Sequence, residues 1–465
     1  MVKRLLPLAV VVILSFFSWR PLLVFGFFTF HDEQQVARLY EFAKALTARQ
    51  FPVRWVPDLG FGLGYPLFNI YPPFVYYLGE IFHLLGFGYI NSIKLVWFTA
   101  LVGSAIAMYF LARKYFGRAG AIVASLFYLY APYHAIDAYV RGALAELFSF
   151  VWLPLILLFA NKPVISGIFL GLLMITHNLI FLPFVGFYIL WSRNIKNIII
   201  SMIVAFGLTT FFWLPALWEK QFTLVDDLLI KNLASYKIHF VCLPQLWDSA
   251  WGYGGSVAGC IDGMSFKLGK LHILVAFAAL VIAIIKRSKI IALCLVLFAL
   301  SVFMTTEYSS FIWDRIPQLW YLQFPWRFLE FAALFSSLLA GSVVVKKPIA
   351  LILIPLLLFF NAKLFVPQTF TNVTDADLTS DEEIKWRVSG TSFEYLPAWI
   401  PTKINTNGAL GVNITKEQIL SNTYPIKDVR SKSKMFNTPV QTIGNLVSLA
   451  FILGLLVYGY KRNKK

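Results

Sequence analysis

The sequence predicts an all-α polytopic membrane protein with about 12 transmembrane helices, and three observations carry that reading. Of 465 residues, 59% are hydrophobic and 14% charged, with a mean hydropathy of +0.71, far outside the composition of a water-soluble globule. Apolar runs of membrane-crossing length recur between short breaks rich in Lys and Arg. Those breaks contain no Asp or Glu, and they account for the whole net charge of +17, because the remaining bases balance the 23 acids. Positive charge so placed is the signature of cytoplasmic loops, not of a nucleic-acid partner.

The elements follow in order. Leu5 to Phe28 comes after Lys3 and Arg4 and is long enough to cross about 30 Å of hydrocarbon. The stretch "VFGFFTFHDE" lacks a small-residue cleavage site, so this run is expected to remain as the first span. With the basic breaks cytoplasmic, spans are expected near 5–28, 93–112, 119–132, 147–160, 163–177, 179–191, 197–217, 271–286, 289–305, 326–345, 348–365 and 441–460. That parity puts both termini inside a cell membrane. The halves 163–177 and 179–191 are short and parted only by Thr176, His177 and Asn178; one tilted span there would reverse everything downstream, and charge placement favours two. The leftover segment 73–86 carries Glu80 and His83 and is expected to lie along the outer interface or to re-enter.

Polar chemistry then falls on outer segments 29–92, 133–146, 218–270, 306–325 and 366–440. The last, with "TNVTDADLTSDEE" and "TNGALGVNIT", reads as a small extracytoplasmic domain with strands. The expected organisation is a multispan domain 1–365 with first outer loop 29–92, an outer domain 366–440, and a final helix with basic tail 441–465. Cys242 and Cys260 share one outer segment at a spacing compatible with a bridge without requiring one.

The sharpest local feature is "FTFHDEQQVARLYEFAKAL", where Asp32 and Glu33 stand at the exit of the first span. From Glu33 onward Val36, Leu39, Tyr40, Ala43 and Leu46 recur at helical spacing, predicting an amphipathic helix on the membrane surface. Asp32 alone reads as an N-cap, with Gln35 completing a capping box. Adjacent residues on a helix point about 100° apart, so one cap does not need both acids. The aromatic and Gly/Pro-rich run "FPVRWVPDLGFGLGYPLFNIYPPFVYY" that follows offers a platform for sugar rings or lipid heads.

These stretches, with "YVRGALAELFSFVWLPL", "THNL", "FFWLPALWEK", "QFPWRF" and "EYLPAW", resemble bacterial membrane proteins labelled 6-pyruvoyl-tetrahydropterin synthase-related. More broadly they resemble the GT-C type of glycosyltransferase, which uses polyprenyl-phosphate sugars. Pterin chemistry needs a histidine triad, whereas the six His here are scattered. The resemblance implies a GT-C-like fold and an acid of the first outer loop as catalytic base or metal contact; the matching positions are Asp32 and Glu33. It implies as partners the bilayer, a polyprenyl-phosphate-linked sugar and an acceptor of unread identity.

Inverting transfer from such a donor needs a base for the acceptor proton and cations at the departing phosphate. Arg141 and Arg327, at outer span ends, suit the phosphate through planar bidentate geometry. The plain alternative is an Asp137–Arg141 pair at i, i+4 and an arginine that snorkels to lipid phosphates. His31, Asp137, Tyr139, Glu146, His177 and Asn178 are the other candidates for the pocket wall. Asp32, Glu33 and an oxygen of Asp137 or Glu146 are the set a Mg²⁺ or Mn²⁺ ion would use, and scattered acids do not define such a site. The competing readings are a transporter or flippase of lipid-linked saccharides, expected to show paired halves and mid-span charges, and a non-catalytic envelope-assembly protein.

Overall fold

The computed structural model describes residues 2–226, 235–398, 402–404, 410–412 and 438–463. Among the described residues the chain is mostly helical, with two short antiparallel strand pairs. The helices of the membrane region are α1 (Val2–Leu14), α2 (Gln35–Thr47), α3 (Phe74–Leu84), α4 (Tyr89–Leu129), α5 (Leu144–Leu158), α6 (Pro163–Thr176) and α7 (Asn178–Ser192). They continue as α8 (Ile195–Leu208), α9 (Thr210–Glu219), α10 (Lys270–Lys286), α11 (Lys289–Thr305), α12 (Leu329–Val343), α13 (Lys347–Asn361) and α14 (Pro439–Asn463).

Among the described residues each expected span contains a helix, but the first, 5–28, is helical only as far as Leu23 and ends in a strand. Three helical stretches, Tyr89–Leu129, Lys347–Leu364 and Pro439–Lys461, are each long and apolar enough to cross a membrane, and bent pairs raise that number to six. α1 continues past Ser15 into a second short helix at 40°, and α8 turns into α9 at 74°.

Two folds in the chain separate helical halves that were expected as distinct spans. Within α4, Gly117 takes φ 68 and ψ −169, which is not helical. The Ser125 hydroxyl donates to the Ala105 carbonyl at 2.5 Å, whereas 20 residues of straight helix would part them by about 30 Å. α4 is therefore a helical hairpin, turning inside the basic break "RKYFGR" where two spans were expected to meet. The second fold is His177, extended at φ −152, which ends α6 and caps α7 by accepting from the Ile180 amide. Trp152 bonds Thr176 near this turn, while Trp191 donates to the Leu157 carbonyl and Ser201 to the Pro163 carbonyl at the far ends. α6 and α7 thus run back to back as two short halves.

Around the loops the structure corrects two expectations. α2 does not rest on the surface: besides Val36, Leu39 and Ala43, its polar residues Gln35, Arg38 and Glu41 are buried. One side of α2 packs on α3 and α4, and the segment 375–388 contacts it as well. No capping box forms either, since the helix begins at Gln35 after Gln34, with no side-chain cap. α3 lies against α2 and α4 with Glu80 buried, while Ile81 and Leu84, and Leu85 just past its end, are exposed.

Strand β1 (Phe27–Phe28) pairs with β2 (Phe370–Thr371), and β3 (Thr402–Ile404) with β4 (Leu410–Val412). Three of these strands, β2, β3 and β4, fall within 366–440, of which 399–401, 405–409 and 413–437 lie outside the described residues. Cys242 and Cys260 form a disulfide. The basic breaks around Lys114, Arg193 and Lys289 converge on one end of the helices, and the polar segments gather at the other.

Candidate functional site

At the polar end a turn of π-helix, Asp137–Arg141, leads into α5. It closes on Gly142 in the left-handed region, φ 63, where a Cβ would also fall 2.0 Å from the Phe30 ring, so glycine is required on two counts. The turn lifts Arg141 off the helix and lets its backbone meet the first loop. The Asp32 amide donates to the Arg141 carbonyl at 2.8 Å and the His31 amide to the Val140 carbonyl at 3.0 Å. Gln35 adds a third tie, its Nε2 donating to the Gly142 carbonyl at 2.9 Å while its Oε1 accepts from the Tyr76 hydroxyl at 2.7 Å.

Beneath this junction Glu146 organises two arginines. Its Oε2 accepts from Arg327 Nε at 3.0 Å and forms an ion pair with Arg141 Nη1 at 2.9 Å, with His177 Nε2 at 3.7 Å. Its Oε1 accepts from the Tyr133 hydroxyl. Arg141 also pairs with Asp137 and lies 4.6 Å over the Trp326 ring. Arg327 comes from the 3₁₀ turn Pro325–Phe328 that opens α12, and it donates to the Leu322 carbonyl at 2.7 Å. Glu146, in the first turn of α5, also faces the positive helix end. Asp137, Glu146 and both arginines are buried, so two cations and two carboxylates sit together out of water. Burial, and then the Glu146 carboxylate, push Asp137 upward, with Arg141 and Arg327 opposing. A third buried carboxylate, Glu330, accepts from the Ser149 hydroxyl one turn deeper.

The remaining candidates divide. Asp32 is exposed, and its carboxylate has no hydrogen bond or ion pair among the described residues, although its charge is felt at Asp137 and Arg141. Glu33 is exposed too and pairs with Arg387 at 3.3 Å. His31 Nε2 meets the Tyr253 carbonyl at 2.9 Å, tying the first loop to the disulfide-bearing segment. Asn178 stays half-buried beside His177. Tyr139 turns away: its hydroxyl donates to the Ser18 carbonyl at 2.6 Å, which makes it a strut against the first helix.

Sequence reasoning missed a second polar group across the acid turn. Arg38 bonds Gln34 and, at 3.2 Å, the Ser392 hydroxyl, and it covers the Tyr71 ring at 4.6 Å. Ser392 in turn donates to Glu394, whose carboxyl is pushed up by burial. The aromatic run after α2 is largely consumed in packing, with Tyr65, Phe68 and Tyr76 buried, and Tyr71 keeps only one half-open ring face. At the far side of that run Glu219 does not pair with Lys220. It accepts from Asn69 at 2.6 Å and from Gln441 at 2.8 Å, while Lys220 binds Asp226.

No group of three His, Cys, Asp or Glu side chains among the described residues is arranged to hold a metal ion. Asp137 and Glu146 are instead paired with the guanidinium groups of Arg141 and Arg327.

No family model and no curated protein matches this chain. Among solved structures it is similar to the arabinofuranosyltransferase AftD from Mycobacteria, at 14% identity and a TM-score of 0.43, over 79% of this chain and 27% of that one. It is also similar to the apo Archaeoglobus fulgidus oligosaccharyltransferase, at 14% identity and a TM-score of 0.46, over 94% of this chain and 62% of that one. The chain spans about a quarter of the first and less than two thirds of the second. At such identity no residue role is carried across.

Proposed function

We propose that this protein is a membrane glycosyltransferase that moves a sugar from a polyprenyl-phosphate donor to an acceptor hydroxyl on the extracytoplasmic side. One observation carries the reading: the backbone bond from Asp32 to Arg141 joins an exposed carboxylate, without an ion-pair partner among the described residues, to a buried pair of arginines held on one glutamate. A base and a phosphate clamp, far apart in sequence, share one edge. The narrower likeness to the pyruvoyl-tetrahydropterin synthase-related group is part of the same proposal and rests on the quoted motifs.

In this reading the Asp32 carboxylate takes the proton of the acceptor hydroxyl. The acceptor oxygen bonds to the anomeric carbon as the bond from that carbon to the phosphate oxygen breaks, and the electron pair leaves on the polyprenyl phosphate. Arg141 and Arg327 stabilise the charge that develops there, in a setting dry enough to make two fixed guanidinium groups effective. Glu146 holds both at a fixed spacing, and Tyr133 and His177 orient Glu146. Glu33, paired with Arg387, anchors the 383–387 segment beside the base. The membrane is the cell membrane, with both termini cytoplasmic.

The test is reconstitution with polyprenyl-phosphate sugars. Asp32→Asn is expected to lower turnover by about 10²-fold or more with folding and donor binding intact, and Glu33→Gln to act far less. Unchanged transfer in Asp32→Asn would remove the base assignment, whatever Glu33→Gln does. Carrier movement between leaflets without transfer would favour the transport reading.

A further inference from the structure

A cleft lies at the opposite end of the molecule from the arginine pair. α7 and α11 both lean on the buried helix α12, through Phe184 and Phe187 on Phe331 in one case and by direct packing in the other. Between them opens a cavity of about 470 Å³. On α11 its lining runs Lys289, Ala292, Leu293, Val296 and Leu297, the i, i+3, i+4, i+7, i+8 pattern of a single helix face. On α7 the lining is Ile189, Leu190 and Arg193, the last in the left-handed turn that ends the helix. The stripe extends two turns, about 12 Å, from the basic end into the hydrocarbon zone.

Both cations stand at the mouth. Arg193 and Lys289 are exposed and have no acidic partner among the described residues. Everything deeper is aliphatic, and Val296 is 61% exposed although it faces the cleft. The groove is open along its length, apolar below a pair of cations, and basic pockets between spans at the cytoplasmic interface hold anionic lipid headgroups.

We infer that the α7–α11 cleft is a binding site for an anionic phospholipid, its phosphate on Arg193 and Lys289 and one acyl chain along Ala292, Leu293 and Val296. The site is separate from the polar end and does not depend on the transferase reading. A bound lipid wedges two helices that both rest on α12, one of them the helix that starts at His177.

The probe is palmitoyl-oleoyl phosphatidylglycerol against the matching phosphatidylcholine, titrated onto the full chain in detergent and read by native mass spectrometry. The wild type is expected to retain the anionic lipid at least about tenfold better, and Arg193→Ala with Lys289→Ala to erase most of that preference, at about fivefold per cation. Ala292→Trp, which fills the cleft and keeps both charges, is expected to abolish retention; Val296→Phe is the second filler should the first fail to fold. Equal retention of both lipids by the wild type would overturn the site, as would a preference that survives loss of both cations. Undiminished binding in a folded filled variant would reduce it to surface attraction and overturn the cleft.

Discussion

Glu146 and Asp32 are both acids of the polar end, yet their surroundings give them opposite tests. Glu146 is fully buried and shared by two guanidinium groups and a phenol. Glu146→Gln keeps the shape but leaves two buried cations with only Asp137 between them, so a loss of about 3–5 kcal/mol is expected. Asp32 is exposed without a side-chain partner among the described residues, and Asp32→Asn is expected to change stability by less than about 0.5 kcal/mol. Thermal unfolding of the two variants in the same detergent checks the contrast; equal destabilisation would mean that Asp32 is structural. Sequence singled out Arg141 and Arg327 through their span ends and set Glu146 among the candidates for the pocket wall, but it did not show Glu146 as the carboxylate both arginines share, and it passed over Tyr133. Nothing local marks a carboxylate as shared when its second arginine lies 181 positions away. Tyr139 shows the converse error, because its place on the same turn says nothing of the direction in which its side chain leaves.

Helix α2 shows what periodicity gives and withholds. Its apolar positions were legible, and they are buried as the spacing requires. Its polar face was expected to meet water, and instead it is covered, a layer of tertiary structure that no pattern within a single helix of 13 residues encodes. Glu41 records the consequence. Its side chain is fully buried, its Oε2 accepts from the Asp58 amide, and burial raises its carboxyl from the ordinary 4.5 to about 7. Between those values the folded chain keeps a proton that the unfolded chain has lost, so this residue's contribution to stability falls as pH rises through the window and then levels off. The expected result is a lower melting temperature at about pH 7.5 than at about pH 5 for the wild type, and a smaller difference for Glu41→Gln. A wild-type slope no steeper than that of the variant would show that Glu41 ionises freely in the fold.

At the scale of the molecule, the question is which end faces which compartment. Contacts fix the relative arrangement: Lys114 reaches the Leu158 carbonyl and Asn197 the Ala160 carbonyl, while Arg193 and Lys289 share one cleft, so these basic breaks converge on one end. The acid turn, the arginine pair and the disulfide loop lie together at the other, joined by His31 to Tyr253 and by β1 to β2. This much was legible because charge marks the turns of one end, down to the hairpin at Gly117, and because the break at His177 stands out between two apolar halves. The contacts between loops at the polar end were not, since they join segments far apart in sequence. The proposed orientation draws on two independent rules: positive residues stay on the cytoplasmic side, and a disulfide persists where the compartment is oxidising. With single cysteines at positions 32 and 461 in turn, in a background where Cys242, Cys260 and Cys294 are replaced, a membrane-impermeant maleimide added to intact cells is expected to label position 32. Position 461 should react only after permeabilisation. Labelling of both positions on one side would break the parity that the two hairpins impose, and reversed labelling would put the arginine pair in the cytoplasm, away from any extracytoplasmic acceptor.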